Sequence, residues 1–273
     1  MVQHGVAGTL PAPSASSGER LRSYATWCNA VEGNTTFYAT PTRSTVESWA
    51  RQTAPGFRFV AKLPKSITHD RRLTGVDEEL RSFLEAIEPL GPRAHALWIQ
   101  LRRRSARPTS APWRAFSTGS PARTGTPSKS ATARSSTTRD PSGCSKAFSR
   151  SDAEWIPFDT DTLFRSPPTS DAERDAWAKK PRVPRRAFAL TDRPIVRYLG
   201  RDDTARTVEG WQPWIGTVAG WLREGRSPTV FIHTPDNADA PMLARRFHDD
   251  VRALLPGIEP LPEPVPVEPL TLF

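Results

Sequence analysis

Between residues 28 and 101 the chain alternates short apolar runs with stretches of helical period, and this alternation constrains the fold most. CNAVE (28–32) and FRFVAKL (57–63) read as strands, the second alternating apolar and polar residues. Between them, STVESWARQ (44–52) reads as a helix, with Ser44 and Glu47 at the spacing of a capping box. DEELRSFLEAIEPL (77–90) places Leu80, Phe83, Leu84 and Ile87 on one helical face, and AHALWIQL (94–101) follows as another strand. Strands joined through helices pair in parallel, because a parallel neighbour is reached only by crossing back over the sheet.

The pattern resumes after residue 150. AEWIPFDTDTLF (153–164), RRAFALTDRPIVRYLG (185–200) and PTVFIHT (228–234) offer strands, while 165–186 reads as a polar, Pro-rich loop. WQPWIGTVAGWLREG (211–225) and APMLARRFHDDVRALL (240–255) read as helices. Residues 1–18 hold no strand of useful length, and the tail 256–273 is Pro-rich and extended. Strand starts near 28, 57, 94, 153, 194 and 228 favour an α/β fold of TIM type, a (β/α) barrel incomplete in the chain as written. A doubly wound sheet is the alternative.

Composition matters most for the gap between these halves. In residues 101–150, Ser, Arg, Thr, Pro and Ala supply 39 of 50 positions, and Leu101 is the only Leu, Ile, Val or Met. Such a stretch has no apolar face to bury. Residues 102–150 carry a net charge of +10 and the remainder −1, so the overall +9 is no signature of a broad nucleic-acid-binding face. Back-translated with permitted codons and read from the third base, RRRSARPTS (102–110) gives Pro-Pro-Phe-Gly-Pro-Thr-Asp-Val. At the same offset TPSKSATARSS (126–136) gives Val-Glu-Val-Arg-His-Arg-Glu-Phe, and PSGCSKAF (141–148) gives a largely apolar stretch. The segment reads as a compensated frameshift that overwrites a strand near 127, with a basic insertion as the alternative. The expected organisation is one domain over 1–255, interrupted at 102–150.

Barrel chemistry gathers at the C-terminal strand ends, where Glu32, Lys62, Asp159, Arg197 and His233 fall. Glu32, His69 and Asp159 are candidate proton carriers, each set against an ion pair or an inert position. Lys62 and Arg197 are candidate anion holders, with Asn34, Tyr38 and Asp236 as further substrate contacts. Lys62 and Glu32 would equally close adjacent strand ends as a structural pair. Histidines at 4, 69, 95, 233 and 248 show no ligand spacing, so no metal is expected. No dinucleotide fingerprint or P-loop is present, so no cofactor is expected either. Cys28 and Cys144 form no framework, which favours a reducing, cytoplasmic setting. No apolar run is long enough for a membrane span.

VEGNTTFYATP (31–41), TVESWARQTAPGFRFVAKLPKSITHDRRL (45–73), LWIQL (97–101), Asp159-Thr160, IVRYLGRD (195–202) and the stretch 211–241 resemble the YecE-like family. The resemblance covers roughly 28–101 and 151–255. It implies a TIM-type barrel and adds weight to His69, but it implies no reaction. MVQHGVAGTLP lacks the opening strand and Gly-Thr-Ser-Gly-Trp-like turn of relatives. Relatives follow the Gln-Leu at 100–101 with Pro-Pro-x-Phe and later carry Val-Glu-x-Arg-His, close to the shifted frame. FIHTPDNADAP keeps Asp236, Ala240 and Pro241 of a family run but changes the rest. The leading functional expectation is a hydrolase or isomerase acting on a small anionic or phosphate-bearing substrate. A nucleic-acid-binding barrel and a nonfunctional product of a disrupted gene are the alternatives.

Overall fold

The computed structural model describes residues 17–101, 130–134 and 154–264. The expectations for 1–16, for 265–273 and for most of 102–150 lie outside the described residues. The chain divides into two compact units, Ala30–Trp155 and a second formed from Val2–Asn29 with Ile156–Phe273.

In the first unit, β1 (Ala30–Gly33), β2 (Arg58–Lys62), β3 (Ala94–Gln100) and β4 (Ser130–Arg134) form a parallel sheet in chain order. α2 (Arg43–Arg51) links β1 to β2, and α3 (Asp77–Ile87) links β2 to β3. The cap of α2 falls two residues before the expected one. Thr42, in extended conformation, accepts a hydrogen bond from the Thr45 backbone N–H, which places Ser44 inside the first turn. α3 buries Leu80, Phe83 and Ile87 as its period requires, and Asp77, Glu78 and Glu79 crowd the positive end of its dipole. Arg93 donates to the carbonyls of Thr53 and Ala54 just beyond α2, at 3.1–3.2 Å. β4 pairs with β3 from Ala96↔Ser130 to Gln100↔Arg134. A strand therefore forms within the segment expected to supply none, at the place where the shifted frame reads as an alternating strand. Ladder hydrogen bonds are made by backbone alone, so the pairing needs no apolar side chains.

The second unit opens with α1 (Ser17–Trp27) and holds a three-stranded parallel sheet of β5 (Phe158–Asp159), β6 (Ile195–Leu199) and β7 (Thr229–His233). α4 (Asp161–Phe164) and α5 (Asp171–Lys179) follow β5, and α6 (Thr204–Arg223) and α7 (Ala240–Leu254) follow β6 and β7. α5 occupies part of the expected loop, capped by the Ser170 hydroxyl on the Glu173 N–H. α6 begins seven residues before the expected helix because Asp203 caps the Arg206 N–H. Trp211, Trp214, Ile215, Val218 and Trp221 of α6 pack with Val196, Tyr198 and Ile232 and with Leu243, Phe247 and Val251 of α7. Burial of each of these large side chains contributes roughly 1.5–3 kcal/mol. Among the described residues the strands form these two sheets and no closed ring.

A buried ion pair ties the start of α5 to the end of β6. Arg201 holds both oxygens of Glu173, at 3.0 and 2.5 Å, and its remaining donors reach the carbonyls of Ser166 and Pro167, each at 2.8 Å. Burial pushes the Glu173 carboxyl up. The Arg201 guanidinium and the N–H groups of Thr169 and Asp202 more than reverse that, holding it at about 2.

Two stability measurements test this packing. A Cβ on Gly210 would sit 2.5 Å from the Tyr198 hydroxyl and would also collide with the Thr162 side chain. Gly210→Ala is expected to destabilise by about 1–3 kcal/mol, read as a lower Tm. Glu173 titrates lower folded than unfolded, so its contribution is present above the ordinary carboxylate pKa and fades as pH falls toward about 2. In urea titrations, the stability gap between wild type and Glu173→Gln should shrink by on the order of 3 kcal/mol between about pH 6 and strongly acidic conditions. Asp159, whose carboxyl burial raises, acts in the opposite direction in both chains, and Asp202, raised by burial and in part by the Glu173 charge, does so less in the variant.

Candidate functional site

Parallel register puts the charged ends of β1 and β2 on one face. Glu32 aligns with Val60 and Lys62 with Trp98, so Glu32, Lys62 and Trp98 project to the same side. The Lys62 ammonium lies 2.6 Å from Glu32 Oε1, with the side chains only 6% and 4% exposed. Lys62 also donates to the Asn34 side-chain oxygen, and its Nζ sits 4.5 Å from the centroid of the Trp98 ring. The Thr36 hydroxyl donates to the Lys62 carbonyl at 2.7 Å, fixing the exit of β2 against the turn after β1. That turn, Thr35–Phe37, is a 3-10 helix.

Tyr38 and His69 both meet one ring. Phe37 meets Tyr38 edge-on at 5.4 Å and His69 edge-on at 5.0 Å. His69 belongs to a π-helical turn, Ser66–Asp70, with its Nδ1 at 3.0 Å from the Thr68 hydroxyl. Tyr38 is 71% exposed. The first unit thus joins Glu32, Lys62 and Asn34 directly and sets His69 and Tyr38 about Phe37.

In the second unit Arg197 lies mid-strand, its guanidinium 5.1 Å from the Phe158 ring. Its Nε donates to His233 Nε2 at 3.2 Å, and His233 Nδ1 lies 3.2 Å from Asn237 Oδ1. A guanidinium only donates, so His233 Nε2 is the acceptor and its proton sits on Nδ1, facing Asn237. Asp159 does not join this group. It aligns with Tyr198, on the opposite face of the sheet from Arg197, and accepts from the Trp214 indole at 2.7 Å and the Asp161 N–H at 2.9 Å. Burial raises its carboxyl pKa, opposed by those two hydrogen bonds. Asp236 is exposed and shapes the loop after β7, accepting from the Thr234 hydroxyl and the Ala238 N–H, each at 2.9 Å. Sequence reasoning missed Trp98, Thr36 and Asn237 as partners. Trp98 comes beside Lys62 only through the register of β2 with β3, which no sequence signal announces. Among the described residues no three His, Cys, Asp or Glu side chains converge as a metal site, and no helix is long and apolar enough to cross a membrane.

Parallel α/β units with charged strand ends place the chain in a recognisable class. Two crystal structures of a DUF72 family protein from Enterococcus faecalis V583 share the fold, with TM-scores of 0.64 and 0.67 at 17% and 14% identity. The first match covers 89% of this chain and 95% of the other, and the second covers 98% of each. The UPF0759 protein YecE of Escherichia coli O157:H7 is 33% identical over 250 residues, 89% of each chain, and that of strain K12 is 34% identical over the same span. Residues 2–266 match the family described as "Protein of unknown function DUF72", and the chain belongs to it.

A buried ion pair costs more when halved than when replaced whole. Glu32→Leu or Lys62→Met alone should destabilise by about 3–5 kcal/mol, and the double variant should recover most of that loss. Denaturant unfolding of the four proteins measures the coupling.

Proposed function

We propose that Glu32, Lys62 and Asn34 form the centre of a site that binds a small anionic or phosphate-bearing substrate and moves a proton on it, as a hydrolase or isomerase would. The observation that carries this reading is a nearly fully buried Lys–Glu pair at the C-terminal edge of parallel strands. Apolar residues would stabilise that position as well, so the charges point to chemistry. The C-terminal edge is also where parallel α/β folds place their ligands.

In this reading the ammonium of Lys62 meets the substrate's anionic group while Asn34 orients it through the side-chain hydrogen bond they share. Glu32, released from part of its pairing, takes or returns the proton. His69, gathered with Tyr38 about Phe37, remains a candidate proton carrier and Tyr38 a candidate substrate contact, and Arg197 and Asp236 remain substrate-binding candidates of the second unit. Asp159 is left out, because its carboxylate is spent on Trp214 and Asp161. The reading retains the TIM-type barrel over a single domain, 1–255, supported by two parallel sheets that each run in chain order.

The test is a thermal-shift and turnover screen of sugar phosphates, phosphorylated acids and small carboxylates. Lys62→Ala should abolish ligand-induced stabilisation, and Glu32→Gln should keep binding while losing turnover by at least about 100-fold. A ligand bound and turned over equally well by both variants rejects the assignment.

A further inference from the structure

Outside residues 102–150 the chain is close to neutral, yet between 179 and 193 six of fifteen residues are basic and Asp192 alone is acidic. Lys179, Lys180, Arg182 and Arg185 are exposed, and Arg186 is half-buried. The run leaves the end of α5 as irregular backbone that enters extended at Lys180 and is kept from helix by Pro181 and Pro184. Thr160, fully buried, fixes its middle. The Thr160 hydroxyl donates to the Pro181 carbonyl at 3.0 Å and accepts from the Val183 N–H at 3.4 Å, so the backbone is held on both sides of Arg182.

Arg182 is presented in a defined way from that pinned backbone. Its guanidinium carbon lies 4.7 Å from the Phe164 ring centroid and 4.8 Å from that of Trp177. Aromatic contact on one side orders the guanidinium while leaving an exposed residue available to a second planar group. One neighbouring charge is loosely held. Lys179 pairs with Asp175 at 2.5 Å, but both side chains are more than half exposed, so a phosphate can exchange for the carboxylate at little cost.

We propose that residues 179–186 bind a single-stranded nucleic-acid segment, with Lys179, Lys180, Arg185 and Arg186 tracking phosphates and Arg182 stacking on a base. An extended cationic track beside a stacking platform is the arrangement that single strands select. An anionic membrane fits less well, because the run presents no exposed large apolar side chain for insertion. Phe164, Trp177 and Val183 pack instead against the buried Phe158, Leu163, Ala176 and Leu199.

The experiment is fluorescence anisotropy of a labelled oligodeoxythymidine across a salt series, using the full chain. Residues 102–150 add the same electrostatic background to every variant, so only differences are read. Replacing Lys179, Lys180, Arg185 and Arg186 together by Ser should flatten the slope of log affinity against log salt by about 3, at ~0.7 per phosphate. Arg182→Lys should keep the slope and weaken binding about tenfold through the lost stack. Thermal melts of each variant verify folding. An unaltered slope in the fourfold variant overturns the proposal. So does binding to vesicles of anionic phospholipid that responds to the fourfold change while oligonucleotide binding does not.

Discussion

Parallel pairing is the constraint from which the remaining features follow. Each strand must be left at one edge of the sheet and re-entered at the other, so a helix or long loop intervenes every time. In this chain α2, α3 and α6 supply such crossings, and the loops that begin them gather at the C-terminal edge of their own sheet. Strand interiors are buried because both faces are covered, as in IVRYL, where all five residues are buried. Glu32, Lys62 and His233 fall at or near the ends of their strands, while Arg197 is carried in the middle of β6.

The two units hold the cations of their strands differently. In the first, Lys62 is met by a carboxylate, an amide oxygen and an aromatic face, three partners that all favour an ammonium. In the second, Arg197 is met by an imidazole and a phenyl ring, and the carboxylate nearest in sequence register faces the other way. The first arrangement places a potential base beside a cation. The second orients a cation against an imidazole with no carboxylate beside it, and the proposed proton transfer is centred on the Lys–Glu pair of β1 and β2.

Much of this was legible residue by residue where the determining interactions are local. The face of α3 follows from the spacing of Leu80, Phe83 and Ile87, and the run of β7 from its flanking Pro228 and Thr234. Reading failed where a decision depended on distant partners. Ser44 was as good a cap as Thr42 until the backbone of Thr42 was seen to be extended. Asp159 looked like Glu32 in sequence, but its facing is set by register with Tyr198 and by an indole fifty-five residues away. Trp98 was invisible as a partner of Lys62 because nothing in either segment encodes their alignment. The strand at Ser130–Arg134 was illegible for another reason: its residues carry no periodic apolar signal.

The Glu32–Lys62 pair has a consequence during assembly as well as in the finished fold. The two residues come from neighbouring strands whose alignment places Glu32 opposite Val60. Sliding β2 by one position would turn one charge of the pair toward the opposite face, stranding each without its counter-ion among apolar side chains. Mispaired alignments of this sheet therefore carry an electrostatic penalty that a purely apolar strand end would not impose. The pair acts as a key for the order in which β1 and β2 are threaded together, selecting one alignment from several that the Val- and Phe-rich strand interiors would tolerate.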